Sequence, residues 1–524
     1  MADAVFVSTT IPYVNGQPHL GHAFEYVQAD LYARHARGRG DEVFLSSGTD
    51  ENSLKNVRAA RAAGVPVRDL VDRHAERFET LLAALQVRPD RFLRTGVDPC
   101  HRVGARDLWR RMAEAGDIYE RFYEGLYCIG CEQFVTPADL VAGCCPVHDE
   151  KPVQVEERNH FFRLSRYQEE LVEALTGGRI RVVPEIRRNE VLAVARAGLN
   201  DISISRTAER AAGWGIPVPG DPDQVMYVWT DALTNYVNAL GGPRSGERYD
   251  RFWDGARQRV HVLGKDVVRF HALYWPAMLL SAGLPLPTDL VVHGHITSSG
   301  RKLSKSSGDI VDPLDLAERY TPEALRYLLL AEFSPWADTD FSEERLVARH
   351  NSDLADGLGN LVDRVISMLH RYRAGVVPPP AAEGPDERAL FAVAQAAVRG
   401  WDEALASFDH RTAVAGVWQL VRRANAYLSA REPWHLAAAS SGPDDAAGRE
   451  LDTVLHQATA VLRLLAALIE PVLPAAARSL LTALGAPAPR RPCDLLARGG
   501  LGADLTGLRV GTPPRLFPRL EVTR

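Results

Sequence analysis

Two short cysteine-containing pairs constrain the fold of this chain more than any other feature. Cys128-Ile-Gly-Cys131 and Cys145-Pro-Val-His148 give the spacing C-x2-C-x13-C-x2-H. Two chelating knuckles at this separation suit one tetrahedral zinc ion, and four protein ligands make such a site structural, not catalytic. Cys144 lies beside the second knuckle, but Cys145 repeats the two-residue spacing of the first. The expected ligands are therefore Cys128, Cys131, Cys145 and His148. Four of the six cysteines fall in this stretch. That clustering points to a metal-tied module in a reducing compartment and away from a disulfide framework.

The pattern on either side of this module is that of an open α/β sheet. Val5 to Ser8 is a short apolar, β-branched run that ends in a loop, and a helical pattern follows from about His22 to His35. Val43 to Leu45 reads as the next strand, ending at Ser46-Ser47-Gly48-Thr49-Asp50-Glu51. Ligands of such sheets bind at the carboxyl ends of the strands, so both loops are expected to face one crevice. Short strands and turns run from about Phe122 to Arg163. Further sheet strands are expected at Val225 to Tyr227, Val260 to Leu263 and Leu290 to Val292. From about Glu343 to Leu484 the pattern is nearly all helical, followed by a Pro/Gly-rich tail.

With 524 residues the chain has room for several cores at about 150 residues per domain. The expected organisation is a Rossmann-like parallel-sheet domain in two halves, 1–115 and 226–300. An insertion with the zinc knuckle occupies 116–225, and a basic loop with the segment after it 301–345. An all-α domain spans 346–485, and a tail packing back spans 486–524. The N-terminus carries Asp3 and no basic run, which is not a signal peptide. Arg463, Glu470, Pro471, Pro474 and Arg478 interrupt the apolar stretch from Ala458 to Leu484, which therefore reads as buried helices and no membrane span. A cytoplasmic protein is expected. The formal net charge is −6, so any nucleic-acid contact must use a local basic surface.

Two motifs carry phosphate chemistry. His19-Leu20-Gly21-His22 sits at a strand-to-helix junction, where two imidazoles three apart share a face and helix N–H groups favour anions. Lys302-Leu303-Ser304-Lys305-Ser306, followed by Ser307-Gly308-Asp309, offers two ammonium groups and several hydroxyls in a glycine-flanked loop. The pair resembles the HIGH and KMSKS signatures of class I aminoacyl-tRNA synthetases. Thr10-Ile-Pro-Tyr-Val-Asn-Gly16, Gly48-Thr-Asp50, Trp214-Gly-Ile-Pro217, Val228-Trp-Thr-Asp-Ala-Leu-Thr-Asn-Tyr236 and Gly264-Lys-Asp266 through His271 to Trp275-Pro276 are similar to the methionyl-tRNA synthetase family. The resemblance runs in order from Val5 to about Leu520.

The resemblance implies that methionine is activated with ATP to the adenylate and transferred to tRNA(Met). It implies catalytic roles for His19, His22, Lys302 and Lys305, and ATP contacts from these together with Gly21, Gly264, Asp266, Gly294 and Ser304. Magnesium would accompany the polyphosphate. Methionine would lie among Ile11, Tyr13, Trp229, Ala232, Leu233, Tyr236, Val267, His271 and Trp275, its ammonium on Asp50. Asn360, Arg364 and Trp434 would read the anticodon. The insertion resembles the family's one-knuckle form, and without an appended C-terminal tRNA-binding module a monomer is expected.

Two departures stand out. The family often has Thr-Asp-Glu-His-Gly where this chain has Thr49-Asp50-Glu51-Asn52-Ser53, and many bacterial members have Ile where it has Val267. The first puts in doubt any phosphate role for that loop. It leaves open an adenylating paralogue that charges tRNA poorly. A non-catalytic RNA-binding protein is countered by His19, His22, Lys302 and Lys305. A simple nucleotidylyltransferase would not need the zinc insertion or the helical half. Synthetases for branched aliphatic amino acids usually carry a large editing insertion for which this chain lacks the length.

Overall fold

Ala4–Ser8, Ala-Val-Phe-Val-Ser, is buried along its whole length, as a parallel strand covered on both faces must be. The computed structural model describes residues 3–128, 133–135, 137, 140–146, 150–298, 301–302, 311–381, 383–487, 491–496, 502 and 505–522, with the backbone alone for 133, 134, 298, 301 and 302. In it this strand lies inside a six-stranded sheet. The order is Arg91–Arg94, Glu42–Thr49, Ala4–Ser8, Gln258–Gly264, Asp289–His293, Arg181–Val183. Every neighbouring pair is parallel. The chain leaves Ala4–Ser8 towards Glu42–Thr49 and returns on the other side as Gln258–Gly264. Strand order reverses between these two, and the loops beyond their carboxyl ends diverge to open a crevice.

Two expectations need correction here. Val225 to Tyr227 is not part of this sheet. Asp221–Met226 pairs antiparallel with Pro217–Val218 and Ser205–Thr207 in a separate sheet. Gly220, at φ +83°, folds the chain back between its two neighbours, so the strand meets a hairpin partner at once and closes no long loop. The outer place in the main sheet belongs instead to Arg181–Val183, an edge strand too short to show a period.

The insertion is also more extended than its sequence pattern. Ile118–Cys128 and Val153–Phe162 form one antiparallel ladder, from Ile118↔Phe162 to Tyr127↔Val153. Gln133–Val135 and Ile202–Ser203 flank it. Glu120, Arg121 and Phe122 are consecutive and all exposed, so the two-residue alternation that marks a half-buried strand is missing.

The C-terminal half is helical: Asn360–Arg373, Pro385–Ala406, His410–Arg431, Ala446–Ile469 and Pro474–Leu484. Pro385 and Pro474 open their helices, where a missing N–H costs nothing, and Gly485 closes the last one at φ +62°. Ala446–Ile469 is apolar and long enough to cross a bilayer, yet 94% of its most apolar window is buried in the protein. Residues 505–522 pack back on the bundle. Val377 N–H donates to Leu508 O at 2.9 Å and Leu520 N–H to Asn351 Oδ1 at 2.8 Å.

The bundle is tied directly to the helix Leu20–Gly38 that covers the sheet. Arg326 is fully buried. Its guanidinium reaches Asp30 of that helix at 2.7 Å and donates to the carbonyls of Leu85, Pro471 and Val472. A buried cation is tolerable only with such complete pairing.

Candidate active site

The crevice at the strand ends holds a cavity of about 380 Å³. Its polar half begins at the first helix. His19 is the N-cap, and its Nδ1 accepts from Gly21 N–H at 3.1 Å, while His22 Nδ1 accepts from His19 N–H at 3.0 Å. With both Nδ1 atoms acting as acceptors, each neutral ring carries its proton on Nε2. The rings stack at 3.8 Å, so two donors leave the helix start side by side. Gly21 is required by this fold-over. A Cβ there would lie 2.9 Å from His19 Cε1.

Gly264, Asp266, Gly294 and His295 line the same cavity as His19 and His22. A Cβ on Gly294 would lie 2.4 Å from the Ala337 backbone, so the chain passes close at this point. Asp266 Oδ2 lies 2.9 Å from His295 Nε2. Asp338 accepts from His295 N–H at 2.8 Å and from Lys265 Nζ at 2.7 and 2.8 Å. Burial alone would raise the Asp338 pKa, but Lys265 and that N–H more than offset it and hold the carboxyl below the usual range.

The other half is apolar. Ile11, Tyr13, Trp229, Ala232, Leu233, Tyr236, Val267 and His271 line it, together with the buried Asp50. Trp229 stacks on Phe270 at 3.7 Å. His271 Nδ1 donates to Val267 O at 2.9 Å, so Nε2 must accept, and Tyr236 Oη donates to it at 2.6 Å. Burial lowers His271 to about 4 and raises Tyr236 far above its ordinary value. Both are therefore neutral near pH 7, as an apolar pocket requires. Asp50 N–H donates to Pro12 O at 2.9 Å and forms a bridge with Tyr13, which places its loop against the first-strand loop.

Nine of the ten residues expected around an amino acid thus line one cavity. Trp275 does not. It is fully buried, 5.9 Å from the Tyr236 ring and 6.1 Å from Trp253. It supports the wall from behind, because its helix turns that face into the core. Of the residues expected to bind ATP, His19, Gly21, His22, Gly264, Asp266 and Gly294 line the cavity. Lys302 is described in its backbone only, in Arg301–Lys302, and Ser304 and Lys305 lie outside the described residues, as do Cys131 and His148. Cys128 ends the long insertion strand and is buried, as is Cys145.

Several lining residues were not expected: Thr10, Asn15, Glu25, Lys55, Asn235, His293 and His295. Glu25 is the most informative. It is buried, and its Oε1 accepts from Thr10 N–H at 2.7 Å and Thr10 Oγ1 at 2.6 Å, while Oε2 lies 3.1 Å from His293 Nε2. Its place three residues after His22 on one helix was the available signal. Asn52 and Ser53 also find roles. Asn52 Nδ2 donates to Asp231, and Ser53 Oγ accepts from Lys55 N–H as the N-cap of Leu54–Ala63.

Far from the crevice, the helix Asn360–Arg373 carries Asn360, exposed, and Arg364. The Arg364 guanidinium lies over the Trp434 ring at 5.7 Å. Trp434 is 38% exposed, whereas Trp401 and Trp418 of the same bundle are 2% and 3% exposed. An aromatic face held at the surface by a guanidinium suits an unstacked base.

Comparison with known proteins agrees over the full chain. The family described as "tRNA synthetases class I (M)" matches residues 5–151 and 130–366, and that described as "Anticodon binding domain of methionyl tRNA ligase" matches 377–522. A methionine--tRNA ligase of Mycobacterium bovis is 41% identical over 98% of both chains. One of Brucella melitensis is 37% identical over 98% of this chain and 97% of its own. Among solved structures, Mycobacterium tuberculosis methionyl-tRNA synthetase in complex with methionyl-adenylate matches with a TM-score of 0.92 at 38% identity, covering 99% of this chain and all of that one.

Proposed function

The chain belongs to the methionyl-tRNA synthetases of class I, and we propose that its crevice holds methionine in the apolar half and ATP in the polar half. The activity is that of a methionine--tRNA ligase: methionine and ATP give methionyl-adenylate and pyrophosphate, and the methionyl group passes to tRNA(Met). One observation carries the assignment of the two halves. One cavity is lined both by an aromatic and aliphatic set with a carboxylate, Asp50, and by two stacked imidazoles at a helix N-terminus.

Methionine has a flexible side chain with a polarizable sulfur, which aromatic walls favour. Ile11, Tyr13, Trp229, Ala232, Leu233, Tyr236, Val267 and His271 would enclose it, and Asp50 would bind the ammonium. Its carboxylate is already ionised near neutral pH, so attack on the α-phosphate needs no general base. The protein must align the reactants, which can be worth about 7–11 kcal/mol. It must also stabilise charge at phosphorus, where one preorganised donor is worth about 3–4 kcal/mol. His19 and His22 would supply donors from the helix start. Lys302, Ser304 and Lys305 would act from the opposite loop, with Lys305 central. Gly264 and Asp266 would hold the ribose, and Gly294, where the backbone is closest, the adenine. Magnesium would neutralise the polyphosphate.

Cys128 and Cys145 are buried near the tip of the insertion, which suits thiolate ligands of a structural zinc completed by Cys131 and His148. Asn360, Arg364 and Trp434 would read the anticodon within a helical domain of residues 346–485, with 486–524 packing back on it. The catalytic halves would be 1–115 and 226–300, the connective insertion 116–225, and the loop and stem-contact region 301–345. The setting is the cytoplasm.

The test pairs charging of transcribed tRNA(Met) with methionine-dependent pyrophosphate exchange. Both activities are expected, and an anticodon change should abolish charging alone. Exchange without charging would favour the adenylating paralogue, and neither activity would remove the proposal.

A further inference from the structure

The amino-acid pocket has two walls from distant parts of the chain. One is the loop that carries Asp50; the other is Val228–Ala232 with the following short helix Asn235–Asn238, which carry Trp229, Ala232 and Tyr236. Asn52 spans them. Its Nδ2 donates to Asp231 Oδ2 at 2.6 Å and lies 3.4 Å from Thr95 O. Both partners only accept, so the amide orientation is determined. The other carboxylate oxygen, Asp231 Oδ1, contacts His101 Nε2. Asn238 Nδ2 donates to His101 Nδ1 at 3.2 Å and to Thr234 Oγ1 at 2.8 Å. Asn238 Nδ2 also lies 3.2 Å from His101 O, and because a carboxylate oxygen only accepts, His101 Nε2 is the donor to Asp231. Asp231 and His101 are 1% and 0% exposed. A carboxylate taken this far out of water persists only if both oxygens are satisfied, so removing either donor leaves a buried charge short of partners.

We propose that Asn52, with Asp231 and His101, is a positioning residue for methionine. It holds the ammonium-binding carboxylate at a set distance from the wall that encloses the side chain. This rests on the reading of Asp50 and Trp229 given above. The substrate must touch both walls at once, so a drift of one against the other weakens its binding. The nucleotide contacts come from the His19, Gly264 and Gly294 loops, none of which includes a member of this brace. At the position where the chain departs from Thr-Asp-Glu-His-Gly, the amide therefore serves the amino acid and not phosphate.

The test measures KM for methionine and for ATP in pyrophosphate exchange. Asn52→Asp sets two carboxylates against each other and should raise KM for methionine at least tenfold, with KM for ATP within twofold of the parent. Asn52→Ala, which adds no charge, should raise it about threefold or more and is the variant to read if Asn52→Asp does not fold. In the exchanged pair, Asn52→Asp with Asp231→Asn, the new amide donates to the new carboxylate and still accepts from His101. This double variant should recover to within threefold of the parent. An unchanged KM for methionine, equal rises for both substrates, or an exchanged pair no better than Asn52→Asp would overturn the proposal. Asp50→Asn is the control. A normal KM for methionine there would remove the underlying reading of Asp50 instead.

Discussion

In the apolar half of the crevice buried side chains are held by one another and by one backbone carbonyl. Tyr236 donates to His271, His271 to Val267 O, and Asn52 to a buried Asp231. In the polar half His19 and His22 are set by the backbone of the helix start, while Asp266, its side chain 51% exposed, meets His295 at 2.9 Å. The difference fits the proposed division of the crevice. An amino acid selected by shape would need walls that do not give, and a polyphosphate that enters and leaves as pyrophosphate would need directed donors at an open face.

The comparison can be broken most sharply at His22. His22→Ala should lower kcat of pyrophosphate exchange by about 100- to 1000-fold, the value of one preorganised donor, with KM for methionine nearly unchanged. A comparable rise in KM for methionine would show that the halves are not separate.

Acid should distinguish them next. His271 is held to about 4 by burial, while the unfolded chain protonates near 6.5. The unfolded state therefore binds the proton first. The stability from this site is complete above about pH 6.5 and is lost as pH falls towards 4, by on the order of 3 kcal/mol. His410 is lowered similarly and adds its own loss. Tm of the parent should therefore fall between pH 7 and 4.5, and that of His271→Gln should fall less. Equal falls would contradict a neutral buried His271.

Trp434→Ala carries the contrast to the far end of the molecule. Loss of a stacking face should cost about 1–3 kcal/mol in kcat/KM for charging, without change in pyrophosphate exchange. The smallest effect is expected at Val267→Ile. One added methylene in the pocket wall should change the affinity of a methionine-competitive inhibitor by about 1 kcal/mol, and equal inhibition constants would show that this wall does not touch the inhibitor.

Legibility differed from element to element. The first strand, the helix from Leu20 and the long bundle helices are each marked locally, by β-branched runs, a cap, an N-terminal proline or a 3.6-residue period. Val225 to Tyr227 looked like a core strand because an apolar run does not name its partner. The Gly220 turn assigned it to a hairpin. Trp275 carries the same aromatic signal as Trp229, and only packing separates the ring behind the wall from the ring in it. Glu25, three residues after His22, and Asp231, inside the Val228–Tyr236 motif, are marked by place alone, since each draws its role from partners far along the chain.

By itself the sequence pointed to candidate residues within a short reach of one another: the histidines of a helix start, the lysines of one loop, the cysteine knuckles and the Trp after a proline. Such features depend on spacing along the backbone, which sequence states directly. Only the tertiary structure decided which buried polar groups brace the pocket and which aromatic rings line it. A buried donor finds its acceptor wherever folding brings one within about 3 Å, and no period in the chain records that meeting.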